Sequence, residues 1–329
     1  MENLSAIKAV LLSNNRIGII CVATAAAIFS TSDMLLKTLT EDYPLHQVVL
    51  FRALFAMLVT LGFFMPLEGG YRNLLSKRIP LHLLRGLCVV IANMSFFFGL
   101  AAMPLADATA IFFFAPLLIT ALSVPFLGEV VGLRRWVAVL LGFIGVIVMV
   151  RPGTDAFQIA TIGPLIAAVA YASMQILTRK LGVTEKASTL AFYIQITFIF
   201  VCIAIGLVVG DGRFAKGIED PSLLFLLRAW EIPPIEDVGV MALIGITSSF
   251  AAYLISQGYR LTEATVAAPF EYVALPMSVF WGVVVFGDWP DWATICGIFL
   301  IVSGGLYAYW RETVRGQTIA AELPMPGNH

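Results

Sequence analysis

Apolar residues run along this chain in long blocks separated by short polar stretches. Ten blocks lie near 17–38, 45–65, 79–101, 106–127, 134–150, 157–181, 188–210, 238–259, 264–286 and 290–310. A helix needs ~20 apolar residues to cross a bilayer, so the pattern predicts an all-α membrane protein with ten transmembrane helices. The blocks lack the short alternating rhythm of barrel strands. Pro116, Pro164, Pro269 and Pro276 fall inside them, as membrane helices tolerate.

One pattern occurs twice. Ala106-Asp107-Ala108-Thr109 is followed by Pro116, by Gly128-Glu129 and by an apolar block from about Trp136. Thr262-Glu263-Ala264-Thr265 is followed by Pro276, by Gly287-Asp288 and by a block from about Trp292. Proline to acid is 13 residues in the first copy and 12 in the second. The pattern divides the chain into a first repeat, 1–150, a second, 151–315, and a disordered tail, 316–329. An odd helix number per repeat inverts the second copy relative to the first, giving two inverted five-helix repeats (5+5). Secondary transporters built this way bind substrate between the repeats near the bilayer midplane.

Basic residues set the orientation. One side collects Lys8, Arg16, Arg72, Lys77, Arg78, Arg134, Arg135, Arg179, Lys180, Lys186, Arg260, Arg311 and Arg315. The other has Lys37, Arg151, Arg213, Lys216 and Arg228. The richer side is the cytoplasm, with both termini there. The longest connection, 211–237, then lies outside. Its Ser222–Trp230 stretch reads either as an interfacial helix or as a connector packed on helix ends.

Composition agrees with a lipid-facing chain. Sixty per cent of the 329 residues are hydrophobic and 12% are charged, against ~25% charged in soluble domains. A formal net charge of −1 leaves no basic stripe for nucleic acid. Cys21, Cys88, Cys202 and Cys296 sit singly in apolar blocks, so neither a disulfide framework nor a zinc site is expected. The first block lacks a cleavage-site pattern and reads as a retained helix rather than a signal peptide.

Charges inside the blocks carry the candidate chemistry, since each costs at least ~2.5–3.5 kcal/mol to insert. At 1.5 Å per residue, Asp33 lies ~7 Å and Arg52 ~10 Å from the outer ends of their helices. Arg85 and Glu271 lie ~9 and ~10 Å from the inner ends of theirs. Asp33 can pair with Arg52, and Arg85 with Glu271 or with a shared zwitterionic ligand. Glu271, between Pro269 and Pro276, is the leading substrate or proton-coupling residue, and Asp33 is the second coupling candidate. Asn93, Tyr171, Gln175, Tyr253 and Gln257 offer neutral polar contacts. Phe270, Tyr272 and Trp281 can stack on a flat or cationic group. The ordinary alternatives are snorkelling by the arginines and hydrogen bonding between helices. Gly128-Glu129 and Gly287-Asp288 read as helix ends, the glycine stopping one helix and the acid capping the next. Trp230, Trp289, Trp292 and Trp310 read as interface anchors. His46 and His82 fall on opposite sides, so no metal site is expected, and no nucleotide or hydrolase motif occurs.

Phe29-Ser30-Thr31-Ser32-Asp33 with Lys37, Phe51-Arg52, Leu84-Arg85-Gly86 and the two Ala-Thr…Pro…Gly-acid copies resemble, in this order, the EamA branch of the drug/metabolite transporter (DMT) superfamily. The likeness runs from about Gly18 to Trp310. Pro269-Phe270-Glu271-Tyr272 is similar to the subgroup that includes riboflavin and S-adenosylmethionine importers. The resemblance implies a bacterial inner-membrane carrier with no cofactor, working by alternating access without ATP. It also implies a cavity lined by helices 1, 3, 4, 6, 8 and 9. The reading is a secondary transporter of a small organic metabolite, amino-acid-like, zwitterionic or aromatic and nucleoside-like, with the bilayer as its other partner and a homodimer open. A passive channel, or an integral-membrane transferase, is the alternative.

Overall fold

The computed structural model describes residues 2–129, 132–151, 159–182, 185–262 and 264–314. The tail 316–329, Glu263 and the side chains of Arg134, Arg135, Thr265 and Trp310 lie outside the description. The described residues are helical, with no strand among them. The order is α1 (Glu2–Lys37), α2 (Leu45–Val59), α3 (Ile79–Leu100), α4 (Leu105–Phe112), α5 (Ala115–Leu127), α6 (Leu133–Val150), α7 (Ile162–Gly182), α8 (Ala187–Val209), α9 (Pro221–Leu227), α10 (Ile235–Leu261), α11 (Ala264–Ala267), α12 (Ala274–Trp281) and α13 (Trp292–Val314). Among the described residues, eight segments are long and apolar enough to cross a membrane, and Val139–Val150 and Trp292–Gly304 are shorter apolar helices.

The predicted 45–65 helix continues from α2 through a π stretch, Thr60–Phe64, to Leu67, and two others are broken more deeply. The 106–127 block is α4 and α5, separated by a turn at Phe113-Phe114 with Pro116 in the first turn of α5. The 264–286 block is α11, a 3-10 stretch Ala268–Val273, α12 and a π stretch Gly282–Phe286. Its irregular middle begins at Ala268-Pro269, where the proline lacks an N–H and cannot continue the α ladder. Both blocks end on a left-handed glycine, Gly128 at φ 71° and Gly287 at φ 71°, the conformation glycine adopts without penalty.

The acids after these glycines do not cap the next helix. Asp288 instead pairs with Lys37 at 3.3 Å. Asp291 accepts the Thr294 N–H at 2.8 Å and so caps the start of α13. Burial works against its charge, but bonds from Thr294 and Arg151 outweigh it and hold the Asp291 carboxyl below the usual range. Gly132 holds the N-cap position of α6, so Glu129 does not stand there.

The helix pairings come in matched sets. α1 packs on α10 and α3 on α7; α2 on α10 and α3 on α8; α1 on α12 and α5 on α7; α6 pairs with α13. Small residues let these backbones approach. A Cβ at Gly258 would stand 2.9 Å from the Gly18 carbonyl, and one at Gly163 would stand 2.4 Å from that of Ser95. A Cβ at Gly145 or at Gly297 would stand 3.1 Å from the other's carbonyl. Gly86 abuts Thr197, and Gly245 abuts Phe55.

The 211–237 connection folds as a connector. Asp220 caps α9 by accepting the Leu223 N–H at 2.9 Å. Phe225 is fully buried against the bundle, and α9 packs on α2 and α3. Trp289 and Trp292 are 80% and 78% exposed, as anchors would be.

Candidate functional site

A cavity of about 150 Å³ lies in the middle of the bundle. Ligand pockets commonly measure ~300–1,000 Å³, so this one is compact. Its walls come from α1, α2, α3, α4, α7, α8, α10 and the broken Ala268–Trp281 segment. Helices α2 and α8 therefore join the expected set, through Arg52, Ala53, Ala56, Ile194, Gln195 and Phe198. They do so because each crosses a cavity-lining helix of the other half. Among the described residues, α5, α6 and α13 contribute nothing to the lining.

Asp33, Arg52, Arg85 and Glu271 all line this cavity, together with Asn93 and Tyr171. At one end, Arg85 is 1% exposed and uses all three nitrogens. Its Nε donates to Thr178 Oγ1 at 2.6 Å, Nη1 to the Leu190 carbonyl at 2.8 Å and Nη2 to Ser256 Oγ at 3.4 Å. Glu271 accepts from the Tyr259 hydroxyl. The Tyr171 hydroxyl and the Gln175 amide face the same carboxylate, and Gln175 Nε2 also donates to Tyr171 at 2.7 Å. The direct Arg85–Glu271 ion pair expected from matched depth is not formed. Neutral hydroxyls and a carbonyl satisfy the guanidinium, and phenols satisfy the carboxylate.

The other end is differently filled. Arg52 donates from Nη2 to Asn93 Oδ1 at 2.7 Å. Its guanidinium lies 5.1 Å from the Phe198 ring centre and 5.6 Å from that of Phe97, within cation–π range. Asp33 faces Arg52 closely enough for their charges to attract, without a direct bond. Among the described residues the Asp33 carboxylate accepts no hydrogen bond. The Ser30, Thr109 and Ser248 hydroxyls and Gln195 Oε1 are buried without partners, and all four residues line the cavity.

Several predicted contacts fall elsewhere. Tyr253 stacks on Phe64 with ring centres 4.2 Å apart and bonds Glu68 at 3.1 Å, near a helix end. Gln257 accepts from Arg260 at 2.6 Å on the same helical turn. Tyr272 is buried against Phe113 at 5.9 Å. Trp281 packs against the core and on Phe280. Phe270 packs against an apolar cluster that includes Val22, Ile119 and Ala172. None of these five lines the cavity. The 3-10 turn rotates residues 120° apiece, so Glu271 turns inward while its neighbours Phe270 and Tyr272 turn away. Gln175 reaches the site through Tyr171. The sequence reading missed Phe97, Phe198, Thr109, Ser30 and Ser248. A serine one turn from Asp33 was the available signal, whereas the phenylalanines were hidden among many apolar neighbours. No cluster of three or more His, Cys, Asp or Glu able to hold a metal occurs among the described residues.

Comparison with known proteins agrees with this architecture. An S-adenosylmethionine uptake transporter of Rickettsia prowazekii is 27% identical over 283 residues, covering 86% of this chain and 89% of that protein. A riboflavin transporter of Vibrio cholerae is 28% identical over 276 residues, covering 83% and 86%. A pseudopaline exporter of Pseudomonas aeruginosa is 24% identical, covering 87% and 93%. One crystal structure matches with a TM-score of 0.65 and 16% identity, over 93% of this chain and 99% of that one, which shows a shared fold. The EamA-like transporter family matches residues 16–151 and 158–310. With its apolar spans and this coverage, the chain is a multi-pass membrane protein and belongs to the EamA-like transporter family.

Proposed function

We propose that this protein is a secondary transporter of a small organic metabolite in the bacterial inner membrane, with the central cavity as its substrate site. The carrying observation is the cavity itself: both halves line it, and two acids and two arginines stand in its walls. Opposite charges facing an apolar, aromatic-rich wall suit a metabolite that is polar at one point and flat at another. The S-adenosylmethionine uptake and riboflavin transporters support such a substrate, as the two molecules each carry a heteroaromatic ring. The matched helix pairings support two inverted five-helix repeats, 1–150 and 151–315, rocking about the cavity in alternating access. Opening on either side would enlarge the compact cavity enough for a nucleoside-sized molecule. The basic residues support cytoplasmic termini.

Purified protein in proteoliposomes tests the reading. Labelled S-adenosylmethionine or riboflavin should accumulate above the external concentration under an imposed ion gradient. Entry that stops at equal concentrations would assign a passive facilitator instead. For orientation, single cysteines in a cysteine-free background are treated with an impermeant maleimide on intact cells. Position 216 should react and position 134 should not.

A further inference from the structure

Two acid–arginine sets line one cavity, and they differ in what their polar atoms are doing. The Arg85–Glu271 set is occupied: each Arg85 nitrogen has a protein acceptor, and Glu271 is held by a tyrosine hydroxyl. The Asp33–Arg52 set is open. Arginine carries five N–H donors, and among the described residues Arg52 commits one nitrogen, Nη2, to Asn93. Asp33 commits no oxygen. Ser30 stands one helical turn before Asp33. Its hydroxyl, with those of Thr109 and Ser248, is buried without a partner. These residues are 3%, 5% and 8% exposed. A buried polar group without a hydrogen bond costs ~1–3 kcal/mol, and these three all belong to residues that line the cavity.

We propose that Asp33 and Arg52 form a clamp for a zwitterionic head of the α-amino-acid type. The ammonium lies on Asp33 and the carboxylate on the free edge of Arg52. This deepens the transporter reading and rests on it. The charges balance: an anion beside Arg52 alone, or a cation beside Asp33 alone, would leave the other protein charge uncompensated in a low-dielectric site. A zwitterion answers both. Its carboxylate can take two parallel bonds from the guanidinium. Asn93 and the Phe97 and Phe198 rings hold that guanidinium in place. Arg85 and Glu271, already satisfied by protein groups, act as fixed structure at the opposite end of the cavity.

The test uses the full-length protein in lipid nanodiscs, with binding followed by calorimetry. The probes are S-adenosylmethionine, its decarboxylated form and riboflavin. Wild-type protein should bind S-adenosylmethionine at least ~10-fold more tightly than the decarboxylated form, since a charge-assisted contact is lost. Arg52→Gln should reduce that preference to below ~3-fold, and Asp33→Asn should weaken S-adenosylmethionine binding by ~10-fold or more. Elution volume and melting temperature report whether each variant is folded. The wild-type comparison of the two ligands stands even where a variant fails to fold. Equal wild-type affinity for the two forms would overturn the clamp. So would an unchanged preference in folded Arg52→Gln, or unchanged binding in folded Asp33→Asn. Concentrative riboflavin uptake by a protein that binds no zwitterion would also overturn it while leaving the transporter reading intact.

Discussion

The two halves share their packing positions and differ at the cavity. Gly86, Gly99 and Gly128 of the first half recur at identical spacing as Gly245, Gly258 and Gly287 of the second. In that register Phe113 stands where Tyr272 stands, and these two rings touch. Phe112 stands where Glu271 stands, Ile244 where Arg85 stands and Ala252 where Asn93 stands. Close backbone approach constrains both copies alike, because a clash is a clash wherever it falls. Cavity chemistry has no such constraint, so each copy keeps its own polar groups. The comparison separates scaffold from site without any ligand.

The seams should give the largest effects. Gly163→Ala drives a Cβ toward the Ser95 carbonyl, and Gly258→Ala drives one toward Val22 and Gly18. Overpacking of this kind costs ~1–3 kcal/mol or more, and both should lower the detergent melting temperature comparably. Gly239→Ala meets nothing within 4 Å and should be neutral or stabilising, by up to ~1 kcal/mol. A large loss at Gly163 with none at Gly258 would break the equivalence of the seams.

Arg85→Met should come next. It strips the bonds to Thr178, Leu190 and Ser256, at ~1–3 kcal/mol. Glu271→Gln should cost about as much or less, since an amide oxygen still accepts from Tyr259. Because the two charges do not pair, the double variant should be additive to within ~0.5 kcal/mol. Thermal melts of the four proteins measure this, and a larger coupling would restore the ion pair that their depth alone suggested.

The smallest expected effect concerns two polar latches in matching places. The Tyr43 hydroxyl donates to Asp237 at 2.5 Å, joining the α1–α2 turn to the start of α10. Ser76 donates to Glu185 at 2.6 Å, joining the α7–α8 turn to the approach to α3. Its bond to Asp237 pushes the Tyr43 hydroxyl up from an ordinary value of 10.0 to about 12. The folded-state pKa is thus the higher one. The latch is fully present below pH 10, lost as pH rises toward about 12, and absent in Tyr43→Phe. The variant should lose ~0.5–1.5 kcal/mol near neutrality, and its deficit against wild type should shrink above pH 10. A deficit that is constant with pH would assign the effect to packing.

Much of the fold was legible because membrane spans announce themselves by length and apolar content. The breaks at Phe113-Phe114 and Ala268–Val273 were not, since Pro116 and Pro269 mark where a helix can break without saying whether it does. The site was half legible. Asp33, Arg52, Arg85 and Glu271 stood out because charge inside a span is costly, and all four reach one cavity. Which partners they take was hidden: depth placed Arg85 level with Glu271, but the hydroxyls of Thr178 and Ser256 decided the pairing. Tyr253, Gln257 and Trp281 looked equally eligible, but their side chains go to Glu68, Arg260 and Phe280 rather than to the cavity.

The doubled glycine seams bear on how such a chain arises and changes. Before two copies are joined, a single unit packing on its own inverted twin would meet every seam twice, so one damaging change at a glycine would strike both seams together. Once fused, Gly99 and Gly258 mutate separately, and a loss at one leaves the other seam whole. Fusion therefore halves the injury done by any one seam mutation. It also frees Phe112 and Glu271, which a paired unit would be obliged to keep identical, to become different residues.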